Sequence, residues 1–402
     1  MISILRRIII NAVVCILVSA SYTIAAENDP EVIKALRALY DDNHEFRTTM
    51  DQAFANIKDP DPNTANLWPH SADLNPWKGM KFDDLLKFFG DWYHLRPEPN
   101  GPQDEFFYVE KFAWFYYKNE FGQQIFGRDP GLSWSKKFVK ARRKFLDSEE
   151  SKATIPQWLA DPAIQMEEYV VPPGGFKSFN EFFVRDLKPG TRMVAGPTDD
   201  SVMVAPTDCV LNMINPLTPE VRIPTKLNQK LNVKELLDGS GYAKYFETGT
   251  AISCILLPNT YHHYHAVVSG KVVDSREDVA GAYWGIKDFG AFFNGGNIGY
   301  GQSYSVFEHF RRGYIVIKTD DYGYVAMIPV GLDTIGSVVF EEKFKKVTPA
   351  NPVPVYKGEK LGHFAYGGSL VIMLIEQGIS SVTIPQGQQI GVFDRKKAPA
   401  SE

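Results

Sequence analysis

Three short segments in the C-terminal half hold residue types that can do chemistry together: Pro206-Thr207-Asp208, Tyr261-His262-His263-Tyr264-His265 and Tyr366-Gly367-Gly368-Ser369. Between them they supply an acid, a set of imidazoles and a hydroxyl, the parts that nucleophilic attack on a carbonyl requires. Three of the eight histidines fall in one short run, which raises the question of zinc. A strand, however, would turn His263 and His265 to one face and His262 to the other, and no companion Cys/His pair at ligand spacing follows, so no metal is expected. Gly368-Ser369 is not a nucleophile elbow. That motif needs glycine at 371, where Val371 stands, and a helix after the serine rather than a strand. Gly295, Gly296, Gly299 and Gly301 lack strand-turn-helix surroundings and read as a turn or loop, not a nucleotide site.

The elements that must carry these segments follow from periodicity. From Asp29 to about Asp161 apolar residues recur with helical spacing. Met80 to Leu95 places Phe82, Leu85, Leu86, Phe89 and Trp92 on one stripe. Phe106 to Phe121 is crowded with aromatics and reads as a buried helix, the alternative being an aromatic binding surface. Ser133 to Leu146 carries Trp134, Phe138, Ala141 and Phe145 on one stripe, with Lys136, Lys137, Lys140, Arg142, Arg143 and Lys144 as its solvated face. Such a basic face also suits peripheral contact with anionic lipid. At Pro172-Pro173-Gly174-Gly175 the composition changes. Beyond it, Val202–Ala205, Ala251–Leu257, Tyr314–Lys318, Tyr324–Pro329, Ile335–Phe340 and Leu370–Ile375 read as strands. The expected fold class is α+β, a helical N-terminal region over 27–175 on a β-rich domain over 176–402.

The 402 residues carry 43 Lys plus Arg against 48 Asp plus Glu, a net charge of −5, which excludes nucleic acid as the main partner because phosphate binding needs clustered cations. Residues 1–26 have the order of a secretory signal peptide: Arg6 and Arg7, an apolar run from Ile8 to Val18, then small residues to Ala26. The expected location is therefore secreted or periplasmic, with possible membrane association. Cys15 leaves with the signal. Cys209 and Cys254 are read as two separate buried thiols, although an oxidising compartment would permit pairing.

These motifs occur in the order found in the phosphatidylserine decarboxylases, and the chain resembles that family over residues 178–376. The segments that carry the likeness are Ser178-Phe179-Asn180-Glu181-Phe182-Phe183-Val184-Arg185, Lys188-Pro189-Gly190-Thr191-Arg192, Ala205-Pro206-Thr207-Asp208, Tyr261 to His265, Lys357-Gly358-Glu359-Lys360-Leu361-Gly362 and Gly368-Ser369. The doubled glycine and Trp134-Ser135-Lys136-Lys137-Phe138 look more like the branch with soluble L-tryptophan decarboxylases. The resemblance implies a β-rich catalytic domain and a proenzyme that cuts itself between Gly368 and Ser369. In that reaction Ser369 attacks the Gly368 carbonyl, His265 is the base, Asp208 orients it, and Ser369 becomes a pyruvoyl cofactor. The cofactor then takes up a substrate amine as a Schiff base and accepts electrons as carbon dioxide leaves. His262 is implied in that decarboxylation. The substrate would be an aminophospholipid head group or a free aromatic amino acid such as tryptophan, and the β and α chains would remain partners after cleavage. Four positions depart from the family pattern: Leu370 stands where Thr or Ser is usual, Val267 for Pro, Cys209 for Gly and Met193 for Pro. Two other readings of the same residues are a serine hydrolase that leaves its own chain intact and a non-catalytic amine-binding member of the family.

Overall fold

The computed structural model describes residues 29–59, 75–99, 105–217, 233–279, 311–332, 338–376, 379 and 381–382. The expected signal segment 1–26 and the glycines at 295–301 lie outside the described residues. Contacts divide the chain into two units. One holds the chain up to Asp59 with Asn75–Leu95 and Trp114–Phe145; the other holds Leu146–Glu402 together with two short earlier segments.

The first unit is helical. Glu31–Asp42 and His44–Asn56 are separated by Asn43, whose side chain accepts from the Phe46 amide and so caps the second helix. Phe82–His94 begins where Asp84 reaches back to the Lys81 amide. Phe89 lies at its centre with no exposed surface, its ring 4.7 Å from Trp134 and 5.1 Å from Phe138 in edge-to-face contact. The Trp134 indole N–H donates to the Val32 carbonyl at 2.7 Å, which ties the Gly131–Leu146 helix to the first helix. Lys136, Lys137, Lys140 and Lys144 are exposed as expected. Arg142, expected on the same solvated face, is fully buried and donates to the Tyr93 carbonyl at 3.1 Å. The aromatic stretch forms Glu105–Tyr117, with Phe112, Trp114 and Phe115 buried as in the core reading. It stops before Asn119, which caps Glu120–Phe126 by accepting from Gly122.

The second unit is built on two antiparallel sheets. The strands are β1 (Val210–Pro216), β2 (Thr250–Leu256), β3 (His263–His265), β4 (Gly270–Val279), β5 (Arg312–Lys318), β6 (Tyr324–Leu332), β7 (Val338–Phe340), β8 (Val353–Val355), β9 (Lys360–Phe364) and β10 (Gly368–Ile375). The larger sheet runs β1-β2-β10-β6-β5-β4-β8 and the smaller β3-β9-β7. β10 lies between β2 and β6, and its run from Leu370 to Ile375 is buried throughout, as a strand covered on both faces must be. Ile252, Cys254 and Leu256 of β2, Val371 and Met373 of β10, Ile315 and Ile317 of β5, and Tyr264, Leu361 and Phe364 of the small sheet share one core.

The α+β class and the strands at β2, β5, β6 and β10 agree with expectation. Val202–Ala205 does not form a strand. Its Val204 amide makes one bond, to the Val267 carbonyl, and Met203, Val204 and Ala205 line a cleft instead of joining a ladder. Only Val338–Phe340 of the expected Ile335–Phe340 strand falls on described residues, and there it is β7.

Phe89→Ala removes the ring that Trp134 and Phe138 pack against and should cost about 3–5 kcal/mol. Urea unfolding followed by tryptophan fluorescence measures it, and a loss under about 1 kcal/mol would refute this account of the helical core.

Candidate active site

Two segments far apart in sequence are sewn together by hydrogen bonds to the backbone. The His265 amide donates to the Pro206 carbonyl at 2.8 Å, and Thr207 Oγ1 donates to the Tyr261 carbonyl at 2.9 Å. On the other side the Ala266 amide donates to Glu359 O and the Gly358 amide to Ala266 O, both at 2.8 Å. The Asp208, His265 and Gly358 segments thereby meet.

Alternation along β3 sorts the aromatic and imidazole rings as a strand should. Tyr261 stacks on His263, with centroids 5.0 Å apart, and leans on His265 at 5.7 Å. Tyr264 points the other way into the core, its hydroxyl donating to Val339 O at 2.8 Å. His262 is buried against Phe183, with ring centroids 3.8 Å apart.

Each histidine's tautomer follows from its partner. His262 Nδ1 lies 2.8 Å from the Thr260 carbonyl. Nδ1 therefore carries the proton, and Nε2 is a bare lone pair with no hydrogen-bond partner among the described residues. Burial pushes the His262 pKa down to about 3. His263 Nε2 donates to Val184 O at 2.7 Å. Its pKa also falls to about 3, again because of burial. His265 Nδ1 donates to the Gly358 carbonyl at 2.8 Å, leaving Nε2 to accept from the Tyr261 hydroxyl at 2.9 Å. Burial lowers the His265 pKa as well, opposed by the Gly358 bond and, more weakly, by the charges of Asp186 and Asp208.

Asp208 does not hold His265 by a hydrogen bond. Its two oxygens take a bidentate grip from Arg192, with Nε–Oδ1 at 3.0 Å and Nη2–Oδ2 at 2.8 Å. The same guanidinium reaches Glu168 at 2.7 Å. Planar forks of this kind are the strong form of charge-assisted bonding. These bonds, Asp208 first, raise the Arg192 pKa further. The orienting contact expected from Asp208 is thus made by the Gly358 carbonyl, and Asp208 acts on the imidazole through its charge alone. Gly358 has φ +82°, and a Cβ there would collide with Val194 Cγ2, so both the backbone conformation and the space call for glycine.

Asp208, His265, Tyr261, Arg192, Lys188 and Lys360 border a cleft of about 640 Å³, with Met193 almost fully exposed on its wall. Ser369 and His262 do not line it. Ser369, at the start of β10, has no exposed surface, and its Oγ has no hydrogen-bond partner among the described residues. Its strand face is that of Val371 and Met373, toward the shared core. Leu370 points to the opposite face, so the hydroxyl usual at 370 in the resembled family would not stand beside that of Ser369. Ahead of it Gly367 adopts φ +142°, and the Tyr366 amide donates to Asn180 Oδ1 at 3.1 Å. The Tyr366 ring packs on Phe183, which also carries His262, so one phenyl ring links the Ser369 turn to the imidazole. The residues whose part sequence reasoning missed are Arg192, Gly358, Tyr261 and Asn180. All four stand in the motifs quoted above, but partners in space are what reveal their jobs. Among the described residues no group of three His, Cys, Asp or Glu side chains is placed to hold a metal ion.

Residues 179–393 match the family described as phosphatidylserine decarboxylase. The phosphatidylserine decarboxylase proenzyme of Fusobacterium nucleatum subsp. nucleatum is 28% identical over 244 residues, covering 59% of this chain and 75% of the relative. The proenzyme of Ruminiclostridium cellulolyticum is 27% identical over 238 residues, covering 59% of this chain and 73% of the relative. Proenzyme 2 of Oryza sativa subsp. japonica is 29% identical over 245 residues, 60% of this chain but 36% of that longer protein.

Two neutral buried histidines make stability depend on pH. Unfolded, each titrates near 6.5; folded, near 3, so between those values the unfolded chain binds more protons. Stability should therefore fall as pH drops from about 6.5 toward 3, by up to about 1.4 kcal/mol per pH unit for each histidine. His262→Gln should make the fall shallower in a pH series of urea unfolding; an unchanged slope would mean that His262 is charged in the folded chain.

Proposed function

We propose, from the premise that the chain belongs to the phosphatidylserine decarboxylase family, that it is a proenzyme cutting itself between Gly368 and Ser369 to become a pyruvoyl-dependent decarboxylase. The observation that carries the reading is Ser369 Oγ, a fully buried hydroxyl with no partner among the described residues, directly after the Gly367-Gly368 turn. An unspent buried hydroxyl costs stability, and a structure tolerates it where the group has work to do.

Ser369 Oγ would attack the Gly368 carbonyl carbon, and its proton must pass to a base. His265 takes that role, its Nε2 exchanging the Tyr261 hydroxyl for that of Ser369, while Gly358 keeps the proton on Nδ1 and Asp208 stabilises the imidazolium by its charge. His262, neutral with an unprotonated Nε2, would accept or return a proton during decarboxylation. The pyruvoyl group formed from Ser369 supplies an electrophilic carbonyl that binds the substrate amine and withdraws electrons as carbon dioxide departs. Ser369 and His262, both with orphaned polar atoms, fit that group.

The substrate we propose is the serine head group of phosphatidylserine, supported by the names of the relatives. Export through a signal at residues 1–26 is part of the proposal, and N-terminal sequencing of the mature chain tests it.

Intact mass of the wild-type chain and of Ser369→Ala decides the main point. Wild type should yield two pieces meeting between Gly368 and Ser369, and the variant one unbroken chain; an unbroken wild type would overturn the proposal. His265→Ala and Asp208→Asn should slow cleavage by about 10²-fold or more. His262→Ala should still cleave yet release no carbon dioxide. Wild-type release from L-tryptophan and not from phosphatidylserine micelles would reassign the substrate.

A further inference from the structure

Cys209 and Cys254, read from sequence as separate thiols, are neighbours in the fold. Both are free. β1 pairs with β2 so that Val210 opposes Ile255 and Leu211 opposes Cys254. Continuing that register one step back sets Cys209 opposite Leu256, with Cys254 as its diagonal neighbour on the same sheet face. Cys254 belongs to the central core and Cys209 packs against that core from its edge. The neighbouring Cys209 thiol and burial hold the Cys254 thiol well above its ordinary pKa. Cys209 is half-buried and so open to a reagent, whereas Cys254 is sealed.

We propose that Cys209 and Cys254 are a redox pair that closes to an intramolecular disulfide, stapling the segment that holds Asp208 to the strand beside β10. The place is specific. Cys209 directly follows Asp208, and Cys254 opposes Val371, two residues beyond Ser369, on the sheet face that Ser369 shares. The oxidant is a small-molecule or protein disulfide. The Cys209 thiolate attacks one of its sulfurs and expels a thiolate, forming a mixed disulfide; Cys254 then attacks the Cys209 sulfur and expels the second thiolate. The two protons lost by the cysteines end on the two released thiols, and the oxidant has gained two electrons. Closing a long loop in this way restricts the unfolded chain, so the link should stabilise the unit.

Both cysteines precede Gly368, so a cut at Ser369 leaves them in one chain and the test does not depend on the reaction proposed above. The full-length protein, purified reduced, is incubated with oxidised glutathione, then weighed intact and digested without reductant. The expected results are a loss of two hydrogen atoms, one linked peptide pair joining residues 209 and 254, and a urea midpoint that shifts upward and returns with dithiothreitol. Cys209→Ser and Cys254→Ala should each abolish the link. Two thiols still open to alkylation after native oxidation and denaturation, a glutathione adduct lasting on Cys209 with Cys254 free, or links only between chains would each overturn the proposal.

Discussion

The C-terminal unit depends on one constraint: β10 is held along its whole length between β2 and β6. A central antiparallel strand has both edges committed to ladder bonds and both faces covered, so its residues have almost no freedom to shift. Ser369 inherits that rigidity. Its hydroxyl finds no hydrogen-bond partner among the described residues, and the turn at Gly367 sets the direction from which the chain enters.

The second organising feature is electrostatic. Arg192 collects two carboxylates, Asp208 and Glu168, and leaves His265 to be oriented by an uncharged backbone carbonyl. A neutral acceptor fixes the imidazole tautomer as firmly as a carboxylate does, but it stabilises the protonated ring less. Together with burial, this favours the neutral imidazole. Lys360 is likewise bound to Asp186, so the charges around the cleft are largely matched in pairs.

Legibility in the sequence followed burial. β2, β5, β6 and β10 are covered on both faces and appear as unbroken apolar runs, which is why they could be read. β4 carries Lys271, Asp274 and Glu277 along its length, β9 carries Lys360 and His363, and β8 has three residues, so none offers a clear period. Val202–Ala205 misled for the opposite reason, being apolar where Met203, Val204 and Ala205 line a cleft. At the site, the residues that carry chemistry were visible as types, whereas their partners were not. The carbonyl of Gly358 is an acceptor that every residue possesses, and only folding shows that this one faces His265. Arg142 shows the same limit in the helical unit, where helical spacing put it among exposed lysines and packing drew it inside.

The position of the Gly368–Ser369 bond within the central strand has a consequence for assembly. A cut there divides the covalent chain but leaves the sheet whole, because the smaller piece begins with the strand that binds β2 to β6. That piece cannot leave without tearing the core open, so separation of the two polypeptides and loss of the fold become one event. Folding before the cut is unimolecular and independent of concentration; after it, reassembly is a second-order encounter between two partners. The cleaved molecule would then persist through slow escape rather than easy return, a heterodimer whose lifetime is set by an unfolding barrier.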